Sequence, residues 1–243
     1  MLKVEIMFVY LDFFVYLCNM EKLTQIDRIH RLRLSCTIND NGVKRHFHNG
    51  FEYVDLGLPS GTLWAKCNLG AEKETDSGLY FAWGETKGHK DPSGEKKFTW
   101  NDYKFGDYEN LTKYNSDEKE VLELEDDAAH VNMGGNWRMP TNDDFKELVE
   151  NTVNEWAEVD GVKGRKFINK NDKSKWVFLP AAGFCINGSL GGSGSYGYYW
   201  SSSLVSSLVR YAYSMYFYSS SVLWQGYNYR RCGFSVRGVV AEN

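Results

Sequence analysis

The sequence predicts an α+β domain of short, twisted antiparallel sheets braced by one or two helices. Three observations carry that expectation. The 243 residues include 23 glycines and 16% aromatic residues but only four prolines, a balance that suits short strands joined by tight turns. One segment, WRMPTNDDFKELVENT, has the cap, the acidic first turn and the apolar spacing of a helix. From Tyr196 to Val240 polar and apolar residues alternate at strand period. A chain of this length buries one good core, so one main domain is expected.

The net charge of -4 is unevenly spread. Residues 176–243 hold four basic groups and one acidic group, while residues 1–175 hold 24 and 31. Between Trp176 and Ala241 there is no Asp, Glu or Lys, and the charges are Arg210, Arg230, Arg231 and Arg237. Four arginines scattered among tyrosines lack the dense basic stripe of a nucleic-acid binder, so no nucleic-acid partner is expected. They suit interface anchors instead. The five cysteines, Cys18, Cys36, Cys67, Cys185 and Cys232, are odd in number and widely spaced, with no CxxC or Cys/His ligand spacing. Neither a disulfide framework nor a zinc site follows, no cofactor or metal is expected, and the compartment stays open.

Residues 1–18 are apolar but broken by Glu5 and Asp12, and their unbroken pieces are too short to span a bilayer. Three readings stay open: a poor signal peptide, an N-terminal element of the fold, or translated upstream sequence with the true start at Met20, the last being preferred. Residues 21–50 read as an extension or linker. His46 and His48 share a strand face that a metal would suit, but exposed polar residues are the preferred account.

A compact domain is expected from residue 51 to 243. YVDL, a Pro-Ser-Gly turn and TLWAKCNL form a first pair of strands, and GLYFAWGE adds a short aromatic run. The polar stretch between His89 and Glu120 reads as surface loop. SDEKEVLELEDDAAHV reads as a helix from Ser116, on which Glu125, Asp126, Asp127 and His130 would be neighbours. A cation is one reading of that group, and an acidic turn favouring its own helix dipole is the preferred one. In the clearest helix Thr141 is the cap and Asp144 its capping-box partner, with Phe145, Leu148 and Val149 as the buried stripe. EWAEV, GRKFIN and KWVFLPAAG then read as strands. The glycine run GSLGGSGSYG lacks the Lys-Ser/Thr ending of a phosphate loop.

Half of the sixteen tyrosines fall between Tyr198 and Tyr229. Period 2 places Tyr213, Met215 and Phe217 on one face and Ser214, Tyr216 and Tyr218 on the other. Val222 and Trp224 continue the inward set, and Leu223 and Gln225 the outward one. An ordinary amphipathic strand shows water Lys, Glu or Thr, whereas this one shows Tyr and Ser. Tyr offers rigid, amphipathic contact area and Ser adaptable hydrogen bonds, the pairing of antibody paratopes. The stretch is expected to be a binding surface.

The order of GLPSGTLWAKCNLGA, GLYFAWGE, EDDAAHVNMGGNWRMPTNDDFKEL, FLPAAG, YYWSSS and GFSVRGVV resembles gut Bacteroidetes proteins with the C-type-lectin-like fold of the formylglycine-generating-enzyme type. Within them it resembles the variable proteins of diversity-generating retroelements and, more loosely, the Fibrobacter succinogenes major paralogous domain. The resemblance covers about residues 51–240. It implies that an error-prone copy of a template repeat rewrites asparagine codons over a variable region of about 198–240. The implied framework is Tyr199, Trp200, Ser201, Ser202, Ser203, Ala212, Phe217, Val222, Trp224, Arg230, Gly233, Ser235, Val236 and Arg237. The implied diversified, ligand-binding positions are Val205, Leu208, Arg210, Tyr211, Ser214, Tyr216, Tyr218, Leu223, Tyr227, Asn228, Tyr229, Arg231 and Cys232. An asparagine codon reaches all of the latter types but not Lys or Glu, which accounts for the missing charges. Gln225 is out of its reach, and Gly226 fits an Asp codon better.

The resemblance also implies a protein or cell-surface ligand, with glycans and oligomers compatible, and a surface, secreted or virion location over a cytoplasmic one, although no convincing signal peptide is present. Calcium-lectin chemistry is not expected, since Trp100-Asn101-Asp102 lacks the preceding Pro tripeptide. Cys185 and Cys232 do not match the reactive pair of the enzyme sharing the fold type, and no Ser/His/Asp or paired-carboxylate arrangement is visible, so no enzyme is expected. The alternative is a fixed glycan-binding or adhesion module, which would keep a few aromatics in one groove.

Overall fold

Three Asx-Gly pairs set the hairpins. Asn49-Gly50, Asp160-Gly161 and Asn187-Gly188 all take positive φ, from 47° to 83°, the backbone a two-residue turn between twisted strands requires. The computed structural model describes residues 36–40, 43–115 and 119–241, and it is α+β with mainly antiparallel strands. The first sheet runs β1 (Cys36–Asp40), β2 (Val43–His48), β3 (Phe51–Asp55), β4 (Thr62–Ala65) and β15 (Val239–Ala241). The second runs β13 (Ser221–Tyr229), β12 (Tyr211–Tyr218), β11 (Gly197–Leu204), β14 (Phe234–Ser235) and β5 (Tyr80–Phe81). A third holds β6 (Thr152–Val159), β7 (Val162–Asn169) and β8 (Trp176–Pro180), and a small hairpin holds β9 (Phe184–Ile186) and β10 (Ser189–Gly191).

The domain boundary expected at residue 51 falls inside the first sheet. His46 pairs with Tyr53 across the Asn49-Gly50 turn, and Trp137 Nε1 donates to the His48 carbonyl at 2.9 Å. His48 is therefore buried against Trp137 rather than exposed, and His46 stacks on Tyr53. Residues 36–40 and 43–50 are part of the fold, not a linker. The apolar stretch 1–18, the Met20 start and the Ser116 helix start lie outside the described residues.

Two short helices brace the sheets. α1 (Ala128–Met133) starts at its cap Asp127, whose carboxylate accepts from His130 N, well after the expected start. Leu124–Asp126 before it form a short 3-10 turn, and residues 119–123 are extended instead. Leu122 N donates to Ser202 O and Leu204 N to Glu120 O, so this stretch lies along β11. α2 (Asn142–Asn151) follows its sequence signature: Thr141 accepts from Asp144 N, and Asp144 accepts from Thr141 N at 2.6 Å. Phe145 and Leu148 are buried and Val149 half-buried. Arg138 adds a two-pronged ion pair to Asp144, at 2.6 and 3.1 Å.

The polar stretch 89–120 is not a simple surface loop. Phe98, Tyr103, Phe105 and Tyr114 plug it into the first of two cores, which also holds Trp83, Trp137, Trp200 and Phe234. The second core gathers Trp64, Phe145, Leu148, Phe167, Tyr199, Met215 and Phe217 between α2, the third sheet and the second sheet. Each large ring removes enough apolar surface from water to stabilise by about 1.5–3 kcal/mol.

Two buried arginines lock the C-terminal segment to this frame through backbone carbonyls. Arg237 donates to the carbonyls of Ala65, Lys66 and Phe178 and to Asn68 Oδ1. Arg230 donates to the Lys113 and Tyr114 carbonyls and lies over the Trp83 ring at 4.9 Å. A guanidinium offers five donors, and burial is tolerated only when oxygens meet them.

Arg237→Leu should cost about 3 kcal/mol or more, since each orphaned buried carbonyl costs about 1–3 kcal/mol; urea unfolding measures it. Burial pushes the Asp144 carboxyl up, but Arg138 and Thr141 outweigh it and hold it below the ordinary value. A depressed folded pKa gives stability above the unfolded value that is lost as pH falls through the folded one. Asp144→Asn is thus expected to cost about 1–2 kcal/mol at neutral pH, with the gap to the parent closing below about pH 4 in the same unfolding measurement.

Candidate functional site

The tyrosine-rich stretch folds as β11, β12 and β13, and residues directly opposite one another share a face. Tyr199 pairs with Met215, and Phe217 with Val222, and this set faces the second core. Tyr198 pairs with Tyr216, Trp200 with Ser214, and Tyr216 with Leu223, on the opposite face. Past Leu223 the register slips, since Gly226 pairs with Ser214. Trp224 and Gln225 thus oppose Met215 alone, a bulge in β13. A Cβ at Gly226 would lie 2.9 Å from the Ser214 carbonyl oxygen, so the bulge excludes a side chain there.

Among the positions that the resemblance implies are diversified, Leu208, Leu223 and Tyr227 are exposed, at 44%, 53% and 53%. Arg210, Tyr211, Tyr216, Tyr218, Asn228, Tyr229 and Arg231 are half-buried. Val205, Ser214 and Cys232 are buried and form no part of the surface. Ser214 does share the face of Tyr216, as period 2 requires, but there the first core covers it through Trp200 and Ala212. Its hydroxyl accepts from Asn228 Nδ2 at 3.1 Å. Conversely Tyr213, expected inward, is half-buried opposite Tyr227, beyond the reach of the second core. The alternation is sound, but what covers each face changes halfway along β12.

The rings assemble into two groups. In the first, Tyr198 and Tyr216 have centroids 4.7 Å apart, Tyr216 lies 5.6 Å from Tyr218, and Tyr196 stacks on Tyr216 at 5.9 Å. In the second, Tyr211 stacks on Tyr229 at 4.4 Å and meets Tyr227 edge-on at 5.7 Å, with Trp100 and Tyr108 packed on Tyr229. Arg210 lies 4.4 Å over the Tyr108 ring, and Arg231 lies 5.7 Å over Tyr229. Arg231 also donates to Phe98 O and to Asn187 Oδ1, in the hairpin whose Phe184 packs on Tyr198. The hairpin therefore links the two groups.

Sequence reasoning missed Trp100 and Tyr108 as members, and it placed Tyr196 and Tyr198 in the tyrosine-rich stretch without singling them out as ligand-binding positions. For Trp100 and Tyr108 the available signal was the recurrence of aromatics in an otherwise polar stretch. Burial, with the neighbouring Tyr216 and Tyr196 hydroxyls, pushes the Tyr198 phenol up to about 12, and a hydrogen bond with Tyr229 does the same for Tyr211. At neutral pH these phenols act as uncharged donors and acceptors.

Of the acidic group near α1, Glu125 and Asp126 converge with Glu123, while Asp127 and His130 turn elsewhere. Glu123, Glu125 and Asp126 surround Lys113 Nζ at 2.7, 2.9 and 2.5 Å, so an ammonium fills the place of a cation. Asp127 instead accepts from Met139 N, and His130 Nδ1 faces the Trp137 carbonyl. Burial pushes the Cys185 thiol up to about 12 and the Cys232 thiol up to about 11, which keeps both protonated.

A family described as Domain of unknown function (DUF8237) matches residues 152–239, from β6 through the tyrosine-rich strands. No curated protein and no solved structure matches the chain.

Burial separates the positions by tolerance. Ser214→Tyr should overpack the first core and cost about 1–3 kcal/mol, whereas Leu223→Tyr should stay within about 0.5 kcal/mol of the parent. Paired thermal melts of the two variants check this.

Proposed function

We propose that this chain is a non-enzymatic ligand-binding protein, a retroelement-diversified variable protein on a C-type-lectin-like scaffold. Its tyrosine-rich β11–β13 surface meets a protein or cell-surface partner. One observation carries the reading: the two sets of residues implied by the resemblance differ in burial. None of the fourteen framework residues is exposed, and all but Ser203, Val222 and Trp224 are fully buried. Ten of the thirteen diversified positions are exposed or half-buried. A core held constant under a changeable surface is what repeated rewriting without unfolding demands.

The chemistry of the surface agrees. Half-buried tyrosine rings are already held by neighbours, so little freedom is lost when a partner covers them. Arg210 and Arg231 are braced over rings and free of strong carboxylate pairing, the arrangement of interface anchors. Binding by this surface needs no ion and no thiolate.

Sequencing the DNA beside the gene tests the origin of the surface. The expected result is a near-copy of the segment encoding Tyr198 to Val239, with asparagine codons at the diversified positions, beside a reverse transcriptase gene. Absence of both would leave a fixed module and overturn diversification. Replacing Tyr216, Tyr218, Tyr227 and Tyr229 together with Ser should weaken binding on protein and glycan arrays more than tenfold and lower the melting temperature by a few degrees. Complete unfolding would show instead that these rings are structural.

A further inference from the structure

Beside the first tyrosine group lies an open cleft of ≈ 270 Å³, lined by Trp156, Lys163, Ser195, Tyr196, Tyr218 and Ser219. Trp156 and Lys163 come from the β6–β7 hairpin, outside the tyrosine-rich stretch. Tyr218 ends β12, and Ser219 opens the turn that follows it. Arg165, opposite Trp156 in the ladder, fixes one wall against the other: it is buried and donates to the Tyr218 carbonyl at 3.2 Å. Its Nε meets no partner, and it forms no ion pair among the described residues. No carboxylate lines the cleft. Glu158 opposes exposed Lys163 in the β6–β7 ladder, yet the two make no ion pair.

We propose that this cleft binds one carboxylated pyranose, a uronic-acid unit of a surface glycan. Its volume lies just under the range of about 300 Å³ and upward that holds whole small ligands, which leaves room for a single ring. Trp156, Tyr196 and Tyr218 supply apolar faces against which the C–H face of a sugar packs. Ser195 and Ser219 supply hydroxyls for the ring hydroxyls, and Lys163 supplies the cation for the carboxylate. An acidic peptide would satisfy Lys163 but would bring no ring to lie on the three aromatics. The inference rests on the proposed surface through Tyr196 and Tyr218. Trp156 and Lys163 stand outside the variable region, so the acidic sugar would be a constant feature of otherwise changing ligands.

Calorimetric titration of the full chain with a glucuronic-acid-terminated oligosaccharide and its glucose-terminated counterpart tests the cleft. The acidic sugar is expected to bind at least tenfold more tightly, less so as salt screens the charge. Lys163→Ala should remove that preference while circular dichroism stays unchanged. Equal affinity for both sugars, no binding of either, or an unchanged preference in Lys163→Ala would overturn the proposal. Tighter Lys163-dependent binding of a glutamate-rich peptide would overturn it in favour of an acidic protein. Tyr227→Ser, in the second group, should leave uronate affinity unaltered while reducing array binding, so failure of the cleft and failure of the tyrosine surface are told apart.

Discussion

The buried guanidinium of Arg237 is the constraint on which the architecture turns. Its four oxygen partners come from the end of β4, from Asn68 and from β8, so one charge ties the first sheet, the third sheet and the C-terminal segment together. Asn68 extends the tie by donating to the Tyr199 hydroxyl, which donates in turn to the Pro180 carbonyl. A guanidinium so placed loses much hydration, and burial lowers its pKa accordingly. Geometry must therefore be kept tightly, because a displaced carbonyl would leave the charge unmet.

That tie brackets the tyrosine-rich strands. Tyr199 stands at the start of the tyrosine-rich stretch and Arg237 at its end, with Arg230 clamping the far end of β13 to the Lys113–Tyr114 backbone. Between these clamps, β12 and β13 carry side chains that lean on one another more than on the interior. Ring stacking within each tyrosine group holds the side chains in place, while few of them are needed to fill a core. Core-filling and part-exposed positions thus alternate along one strand pair, residue by residue.

Much of this was legible in the chain. The α2 cap from Thr141 and Asp144, its Phe145 and Leu148 stripe, and the strands around EWAEV, GRKFIN and KWVFLP follow from local chemistry, and the structure bears them out. What local chemistry leaves out is what covers a face. Ser214 and Tyr216 are equivalent to a period-2 reading, and only the distant Trp200 buries the first. Phe98, Tyr103, Phe105 and Tyr114 sit among lysines and aspartates, so an average over the segment conceals four core residues. The strands on either side of residues 41–42 were hidden for the opposite reason: the turn signals Asn41-Gly42 and Asn49-Gly50 follow a basic, irregular run that reads as a linker.

The β13 bulge has a further consequence, for solubility. β13 lies at the edge of its sheet and has neither lysine nor proline to discourage a second copy from pairing along it. The extra residue at Trp224 and Gln225 breaks the even spacing of the free backbone groups, so an incoming strand loses its register after a few residues. This guard against amyloid-like stacking is built into the backbone and depends on Gly226, where a Cβ would meet the Ser214 carbonyl, rather than on the side chains at positions 223 and 227.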